Sequence, residues 1–148
     1  MKKIEVLIFV VVFLSVSSCS TLQSFFKSEM TVAQAIMAKD RMDKITNPAQ
    51  KDIMYKDLQN KIIVVPRAKV LDIIESINVD YSYAVIARVE TEKGPVDLYL
   101  YSKDQKLIAS LSKESSEISA KGEFSKFFQL LDDSYAKIEL VKAKINKL

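Results

Sequence analysis

Residues 81–102 read YSYAVIARVETEKGPVDLYLYS and contain two runs rich in Val, Ile, Leu and Tyr, at 81–91 and 96–102. β-branched and aromatic residues favour strands, because they pack well on a pleated surface. The four residues between the runs, Glu-Lys-Gly-Pro at 92–95, are typical of a hairpin turn. This stretch therefore predicts a β-hairpin.

The prediction extends beyond the hairpin. A third run, at 106–112, follows the turn-like Lys-Asp-Gln and predicts a third strand. A fourth short strand is predicted at 117–120. The sequence therefore predicts an antiparallel meander of three or four strands.

Alternate residues of a strand point to opposite faces of a sheet. With Thr91 placed opposite Val96, one face of the meander collects a hydrophobic core, made of Val85, Ala87, Val89, Val96, Leu98, Leu100, Leu107, Ala109, Leu111 and Ile118. The other face is mixed, and its candidates for an interaction surface are Ile86, Arg88, Tyr99, Tyr101 and Ile108. Tyrosine and arginine are favoured at interface centres. The simpler interpretation is that helices cover this second face, since layered domains commonly bury both sides of a sheet.

Helical patterns precede the meander. Thr31 and Gln34 have the spacing of a capping box, and the helix they start should end before Asn47-Pro48. A second helix is predicted at 49–61. The segment KIIVVP that follows is either a short edge strand or a buried connection. A third helix is predicted at 66–77, because Pro suits a first helical turn and the residues that recur at helical spacing are Val70, Ile73, Ile74 and Ile77.

A long helix is predicted at the C-terminal end, over 122–147. Its apolar stripe recurs every three or four residues and consists of Phe124, Phe127, Leu131, Ser134, Ile138, Val141, Ile145 and Leu148, widened by Phe128 and Tyr135. We expect this stripe to pack on the core face of the sheet. The predicted fold class is α+β, with N-terminal helices, the antiparallel meander and a long C-terminal helix in a single domain over 31–148.

The first residues have the layout of a secretory signal peptide. Lys2 and Lys3 precede an apolar run at 6–14, and small polar residues follow it. A transmembrane helix needs about 20 apolar residues, so this run is too short to span a bilayer. We therefore expect export, with residues 1–18 removed.

Val16-Ser17-Ser18-Cys19 contains the only cysteine of the chain. The tetrapeptide resembles the lipobox of bacterial lipoproteins, in which an aliphatic and two small residues precede a cysteine that becomes the lipidated first residue. The resemblance implies lipid on Cys19, a lipidated terminus and spacer at 19–30, and attachment to a membrane. The alternative is cleavage by an ordinary signal peptidase, which leaves an unpaired thiol.

The residue after the cysteine indicates which membrane a lipoprotein reaches. In some bacteria an aspartate there retains lipoproteins at the inner membrane, whereas this chain has Ser20. By that analogy the outer membrane is the expected site.

Several reactive arrangements are excluded by composition. The chain has no histidine and only two glycines, which excludes Ser-His and Cys-His pairs, histidine metal sites and glycine-rich phosphate loops. Ser-x-x-Lys occurs at 24–27, 110–113 and 134–137 without the companion Lys-Thr-Gly of penicillin-recognising enzymes. Asp132-Asp133 fits a solvated helix face better than a calcium site. We therefore expect no catalytic residue, no metal and no cofactor.

The charge balance also limits the partners. The 22 basic and 19 acidic residues are interspersed, which argues against the concentrated basic face of a nucleic-acid binder. The main expectation is a non-catalytic envelope lipoprotein that holds another protein or a cell-wall component. The alternative is a carrier of a lipid or other apolar ligand, in a pocket between sheet and helices. A hydrolase built from carboxylates, lysine and tyrosine has no positive support.

Overall fold

The computed structural model describes residues 27–128 and 136–148. The elements in chain order are β1 (Glu29–Thr31), α1 (Val32–Asp43), α2 (Pro48–Gln59), β2 (Ile62–Glu75), β3 (Tyr83–Thr91), β4 (Gly94–Tyr101), α3 (Gln105–Ser110), β5 (Glu117–Phe127) and β6 (Ala136–Lys147). The signal peptide, Cys19 and Asp132-Asp133 lie outside the described residues.

Five strands close into a barrel. The strand order is β1-β2-β3-β4-β6-β5, and β2 also pairs with β5, which joins the two ends of the sheet. Within the barrel β4 and β6 are parallel, whereas the other neighbours are antiparallel. This Greek-key connectivity is that of an OB-fold.

Strand β2 closes the barrel because it pairs with a different neighbour along each half. Its first half pairs with β5 from Ile62 to Lys69, and its second half pairs with β3 from Lys69 to Glu75. Irregularities in the pairing lie between Val65 and Ala68 and after Val70. Bulges of this kind bend a strand and increase its twist, so they let one strand turn from one sheet edge to the other.

The barrel interior is filled by aliphatic side chains from every strand. The largest that are fully buried are Ile63, Val65, Val70, Val85, Leu98, Leu100, Ile118, Ile138 and Leu140. All of them belong to one hydrophobic cluster. Burial of this apolar area supplies the main driving force for folding.

The N-terminal helices contribute to the same core. Their buried residues are Val32, Ala35, Ile36, Met42 and Leu58. Helix α1 packs on β1, β2 and β3, and α2 packs on β5. An ion pair between Asp40 and Lys93 joins α1 to the β3–β4 turn. The two helices therefore lie at one end of the barrel, which we call the helix end.

The predictions for these helices are confirmed. The Thr31 hydroxyl accepts a hydrogen bond from the Gln34 backbone, and the Gln34 side chain accepts one from the Thr31 backbone. The Asn47 side chain caps α2, with Pro48 in its first turn. These local signals are independent of the tertiary fold, so the sequence alone specifies them.

The β3–β4 hairpin is also confirmed, with a corrected register. Val89 lies opposite Val96 and Thr91 opposite Gly94, which shifts the expected pairing by two residues. Because side chains alternate with a period of two, an even shift keeps every residue on its expected face. Val85, Ala87, Leu98 and Leu100 are accordingly buried in the core.

The predicted fold class is wrong. The described chain is mostly sheet and has no long C-terminal helix. Residues 122–147 hold much of β5 and all of β6, and residues 66–77 lie largely within β2. The third strand expected at 106–112 is instead helix α3, capped by the Asp104 carboxylate. The segment at 117–120 begins strand β5, which pairs with β2 and β6 and does not extend the hairpin.

Candidate functional site

The outer surface of β3, β4 and β6 brings the mixed residues of the hairpin together. We call this surface the tyrosine face and define it as Ile86, Arg88, Asp97, Tyr99, Tyr101, Lys137 and Glu139. Tyr99 lies opposite Ile86 on β3 and beside Glu139 on the parallel strand β6. The intervening residues of all three strands fill the barrel, so these side chains point outward.

Arg88 and Asp97 form a two-pronged ion pair across β3 and β4. The Arg88 Nε lies 2.8 Å from Asp97 Oδ1, and a terminal nitrogen of the guanidinium lies 3.3 Å from Oδ2. Asp97 is buried, whereas Arg88 is half-buried. A guanidinium fork matches a carboxylate in geometry and charge, so this pair holds the arginine in a fixed orientation at the surface.

Glu139 is a second buried carboxylate of the tyrosine face. Its Oε1 accepts a hydrogen bond from the Ser125 hydroxyl at 2.7 Å, and Lys126 Nζ lies 3.5 Å from its Oε2. A buried carboxylate is stable only when it is paired or hydrogen-bonded. Ser125 reaches Glu139 from an irregularity in the β5–β6 pairing between Phe124 and Lys126.

An aromatic pair lies at the centre of this surface. The rings of Tyr99 and Phe128 have centroids 4.7 Å apart. Lys137 Nζ lies 6.0 Å from the centre of the Tyr99 ring, and Lys126 Nζ lies 5.4 Å from that of Phe128. Both rings are half-buried, so each still exposes part of its surface. Aromatic faces attract cations at such distances.

Tyr101 was a candidate for the interaction surface, but only 1% of its surface is exposed. Tyr81 covers it, with ring centroids 5.5 Å apart. Burial raises the pKa of Tyr101, and the nearby Glu139 and Tyr99 add to the increase. Tyr101 is therefore a neutral packing residue that a partner cannot touch in this conformation.

The five residues proposed from the sequence separate into three groups. Ile86, Arg88 and Tyr99 share the outer surface as expected. Tyr101 points to that side but is buried. Ile108 is buried on α3, so its placement on this face is wrong. The sequence interpretation missed Lys137 and Glu139, because it placed them on a helix, and only a strand assignment for β6 would have identified them.

The expected cover for this face is only partly present. The helix predicted at 66–77 is a strand of the barrel and cannot lie over it. Helices α1 and α2 pack mainly at the helix end, on β1, β2, β3 and β5. Among the described residues, Tyr81 from the loop between β2 and β3 covers Tyr101 at one end of the tyrosine face, and the Phe128 ring packs on Tyr99.

Two of the hollows on the described surface bear on the prediction of an apolar ligand. One is an open groove of about 780 Å³ lined by Asp80, Tyr81, Ser102, Lys103, Asp104, Lys142, Ala143, Lys144, Ile145 and Asn146. The other is a mainly apolar cleft of about 280 Å³ lined by Ile73, Tyr83, Gln105, Ile108, Ala109 and Leu111. Neither lies between α1, α2 and the sheet, and binding of an apolar ligand stays a prediction.

The described residues contain neither a candidate metal site nor a helix that could span a membrane. No group of three or more carboxylate or cysteine side chains among residues 27–128 and 136–148 could hold a metal ion. No helix in the described part of the chain is long and apolar enough to cross a membrane.

Comparisons with known proteins add no relative. No protein-family model matches the chain, and no curated protein matches it. Function is therefore inferred from the geometry of the tyrosine face and from the N-terminal sequence.

Proposed function

We propose that the protein is a non-catalytic binding module, exported and held on a bacterial membrane by lipid on Cys19. Its tyrosine face binds another protein of the envelope. The observation that carries this proposal is the half-exposed Tyr99–Phe128 pair, with Arg88, Lys126 and Lys137 around it.

The composition of the surface supports a protein partner. Tyrosine, phenylalanine and arginine are enriched at the centres of protein interfaces, where they combine large contact area with polar groups. The Arg88–Asp97 pair fixes the guanidinium before any partner arrives. A side chain that is already ordered loses less conformational entropy on binding, which favours affinity.

The location of the surface on the barrel supports the same proposal. Other OB-folds bind oligonucleotides and oligosaccharides on the face of their second and third strands, which correspond here to β3 and β4. This likeness is one of fold alone, and it concerns the place of binding and not the ligand. The balanced charge of the chain argues against nucleic acid.

The lipid on Cys19 and the spacer that follows it would keep the module close to its membrane. Two or more acyl chains anchor a protein stably, whereas one chain holds it only marginally. Eight peptide units separate Cys19 from Lys27, the first described residue, and can span at most about 28 Å. A partner of this module would therefore lie within or beside the envelope membrane.

The proposal is tested by photo-crosslinking in the native cells. A photoreactive amino acid is placed at Tyr99 of the full-length protein, and the control position is Met37 on α1, whose side chain is 46% exposed. We expect a discrete protein adduct from Tyr99 that is absent from Met37. We further expect Tyr99→Ala to weaken binding of the identified protein at least about tenfold, as for a central interface residue.

Two results would overturn the proposal. One is the same set of adducts from both positions, which would indicate random collisions. The other is unchanged binding by a Tyr99→Ala variant whose urea unfolding shows a folded protein.

A further inference from the structure

Exposed apolar residues are concentrated at the end of the β2–β3 hairpin. Seven large hydrophobic side chains are exposed in the described part of the chain, and four of them are Ile74, Ile77, Val79 and Tyr83. Ile77 is 80% exposed and Val79 98%. Single exposed hydrophobic residues are normal, but a cluster of this kind is typical of an interaction site.

The loop at 76–82, which carries the two most exposed of these side chains, is internally hydrogen-bonded. Ser76 N–H donates to the Ser82 carbonyl at 3.0 Å, and Tyr81 N–H donates to the Asn78 carbonyl at 3.1 Å. Asn78 N–H donates to the Ser76 hydroxyl at 2.9 Å. A polar group that is bonded within the protein costs little when water is removed from it. The loop can therefore bring its apolar tip into an apolar medium.

A short series of contacts joins this loop to the first described residue. Lys27 Nζ lies 2.8 Å from Glu123 Oε2, and Lys142 Nζ lies 3.2 Å from the same oxygen. The backbone N–H of Lys142 donates to the Tyr81 hydroxyl at 3.0 Å. One carboxylate and one lysine therefore connect the loop to the point where the chain from Cys19 reaches the barrel.

The spacer limits the distance between the loop and the proposed membrane anchor. Cys19 lies eight peptide units before Lys27, so the two are at most about 28 Å apart on any path. With lipid on Cys19, contact between the loop and the same membrane becomes intramolecular, and a weak affinity is then sufficient. A separate protein has no such advantage. The position of Lys27 beside the loop therefore favours the membrane.

The charges around the loop are balanced, so the apolar side chains must supply the attraction. Near it lie three lysines and three carboxylates, namely Lys103, Lys142, Lys144, Asp80, Asp104 and Glu123. Asp80 directly follows Val79, and a carboxylate is costly to bury, which limits insertion to the membrane surface. Tyr83 is 42% exposed at the base of the loop, and tyrosine is enriched at membrane–water interfaces.

We propose that the loop at 76–82 inserts Ile77 and Val79 into the surface of the membrane that holds Cys19. The inference rests on the lipid anchor of the proposed function and does not depend on what binds Tyr99. The anchor and the loop together give the module two points of contact with the bilayer. Two such contacts restrict its rotation, so the tyrosine face would keep a constant orientation toward the membrane plane.

The test places a photoreactive amino acid at Val79 of the full-length protein in its own cells. The matched control is Ile53, an aliphatic residue of α2 that is 67% exposed. We expect phospholipid adducts on the Val79 peptide and none on the Ile53 peptide. Ile77→Asp should lower the yield at Val79 by about tenfold or more, as loss of one buried aliphatic side chain does. Ile53→Asp should leave the yield unchanged.

A second measurement separates apolar contact from charge attraction. The purified lipidated protein, with the photoreactive group at Val79, is reconstituted in vesicles of phosphatidylcholine alone or of phosphatidylcholine with phosphatidylglycerol. We expect the same yield of lipid adduct in both, because the charges around the loop are balanced. Adducts that form only with phosphatidylglycerol would overturn insertion by the apolar side chains.

Several results in cells would overturn the inference. They are a discrete protein adduct from Val79 in place of lipid, an adduct with a second copy of this chain, no adduct, or equal lipid adducts from Ile53. Mass spectrometry of the N-terminal peptide from the same sample shows whether Cys19 carries lipid. Lipidated Cys19 without lipid adducts at Val79 would reject the loop insertion alone. An unmodified Cys19 would remove the anchor from the proposed function and this inference with it.

Discussion

Tyr81 packs on Tyr101 with ring centroids 5.5 Å apart, while its hydroxyl accepts a hydrogen bond of 3.0 Å from the Lys142 backbone. Lys142 has a positive φ of 50°, so its N–H leaves the regular ladder of β6 at this point. One tyrosine therefore joins the β2–β3 loop to β4 and β6. It also determines how the loop at 76–82 projects from the barrel.

Two substitutions separate the ring of Tyr81 from its hydroxyl. Tyr81→Phe keeps the ring contact and should lower the free energy of unfolding by about 0.5–1.5 kcal/mol, the net contribution of one hydrogen bond. Tyr81→Ala also removes the packing on Tyr101 and should lower it by about 2–3 kcal/mol. Urea unfolding measures both. Equal effects of the two changes would show that the ring contact contributes nothing.

Gly122 distinguishes the barrel from a C-terminal helix. A Cβ at this position would lie 3.0 Å from the Leu140 Cβ on the neighbouring strand. Gly122→Ala should therefore destabilise the protein by about 1–3 kcal/mol, as overpacking does. At the first residue of the helix predicted over 122–147, no neighbouring strand would lie against an added Cβ, so no overpacking would arise. A loss of about 1–3 kcal/mol in urea unfolding would therefore support the close approach of β5 and β6 at Gly122.

Gly94 is the control for that experiment. It lies in the β3–β4 turn with a φ of +108°, and a Cβ there meets nothing within 4 Å. Gly94→Ala should cost about 1–2 kcal/mol, from backbone strain alone. A second substitution that removes one of the crowded atoms, Ala143→Gly, whose Cβ would lie 3.4 Å from the new Cβ, should lessen the effect of Gly122→Ala and leave that of Gly94→Ala unchanged.

Glu123 should make stability depend on pH. Burial alone would raise the pKa of its carboxyl, but hydrogen bonds and charge from Lys27 and Lys142 outweigh burial and lower it. A carboxyl with a lowered pKa stabilises the folded state above the ordinary glutamate pKa of about 4.3, and the contribution is lost as the pH falls through the lower folded value. Glu123→Gln should remove this part of the pH dependence, measured by urea unfolding between pH 7 and pH 3. An identical pH profile for the variant would contradict the pairing.

Arg88 and Asp97 should be coupled energetically. Arg88→Met leaves the Asp97 carboxylate buried without its guanidinium and should cost about 2 kcal/mol, less than for a fully buried pair because Arg88 is half-exposed. The double variant with Asp97→Asn should cost less than the sum of the two single changes, by about 1 kcal/mol. A thermodynamic cycle from urea unfolding measures this coupling. Simple additivity would show that the ion pair does not contribute to stability.

The elements that the sequence predicted correctly are those with local signals. The capping box of Thr31 and Gln34 acts within one helical turn, and Pro48 disfavours a helical conformation at the residue before it. The β3–β4 hairpin alternates regularly around a turn that contains Gly94, and its pairing is uninterrupted from Ala84 to Gly94. In each case nearest neighbours along the chain determine the conformation.

The C-terminal strand was mistaken for a helix because of an irregularity. The buried apolar residues of β6 are Ile138, Leu140, Ala143 and Ile145. The positive φ at Lys142 inserts one residue, so the spacing changes from two to three and back to two. Val141, which is only half-buried, is also apolar, so that residues 138, 141 and 145 match a helical stripe in the sequence.

Part of strand β2 was also predicted as a helix because of irregularities in its pairing. Its irregularities near Ala68 and Asp72 break the period of two, so that Val70, Ile73, Ile74 and Ile77 recur at helical spacing. These irregularities exist because the strand bends to pair with both β5 and β3. Such pairing is a long-range property, and no local pattern reports it.

The candidate site was predicted in part. Ile86, Arg88 and Tyr99 were placed on one face because an even register shift preserves alternation. The burial of Tyr101 depends on Tyr81, which arrives from a loop, and the carboxylate of Glu139 depends on β6. Both contacts follow from closure of the barrel, which the sequence interpretation did not include.

The central claim is that lipid on Cys19 holds a binding module at a bacterial membrane. Its most direct test is mass spectrometry of the N-terminal peptide of the protein extracted from its own membranes, with Cys19→Ser as the control. The account predicts a mature chain that begins at Cys19 and carries a diacylglyceryl group, with an additional acyl chain where the organism adds one. An unmodified Cys19 thiol in a cleaved chain, or a chain that retains residues 1–18, would contradict it.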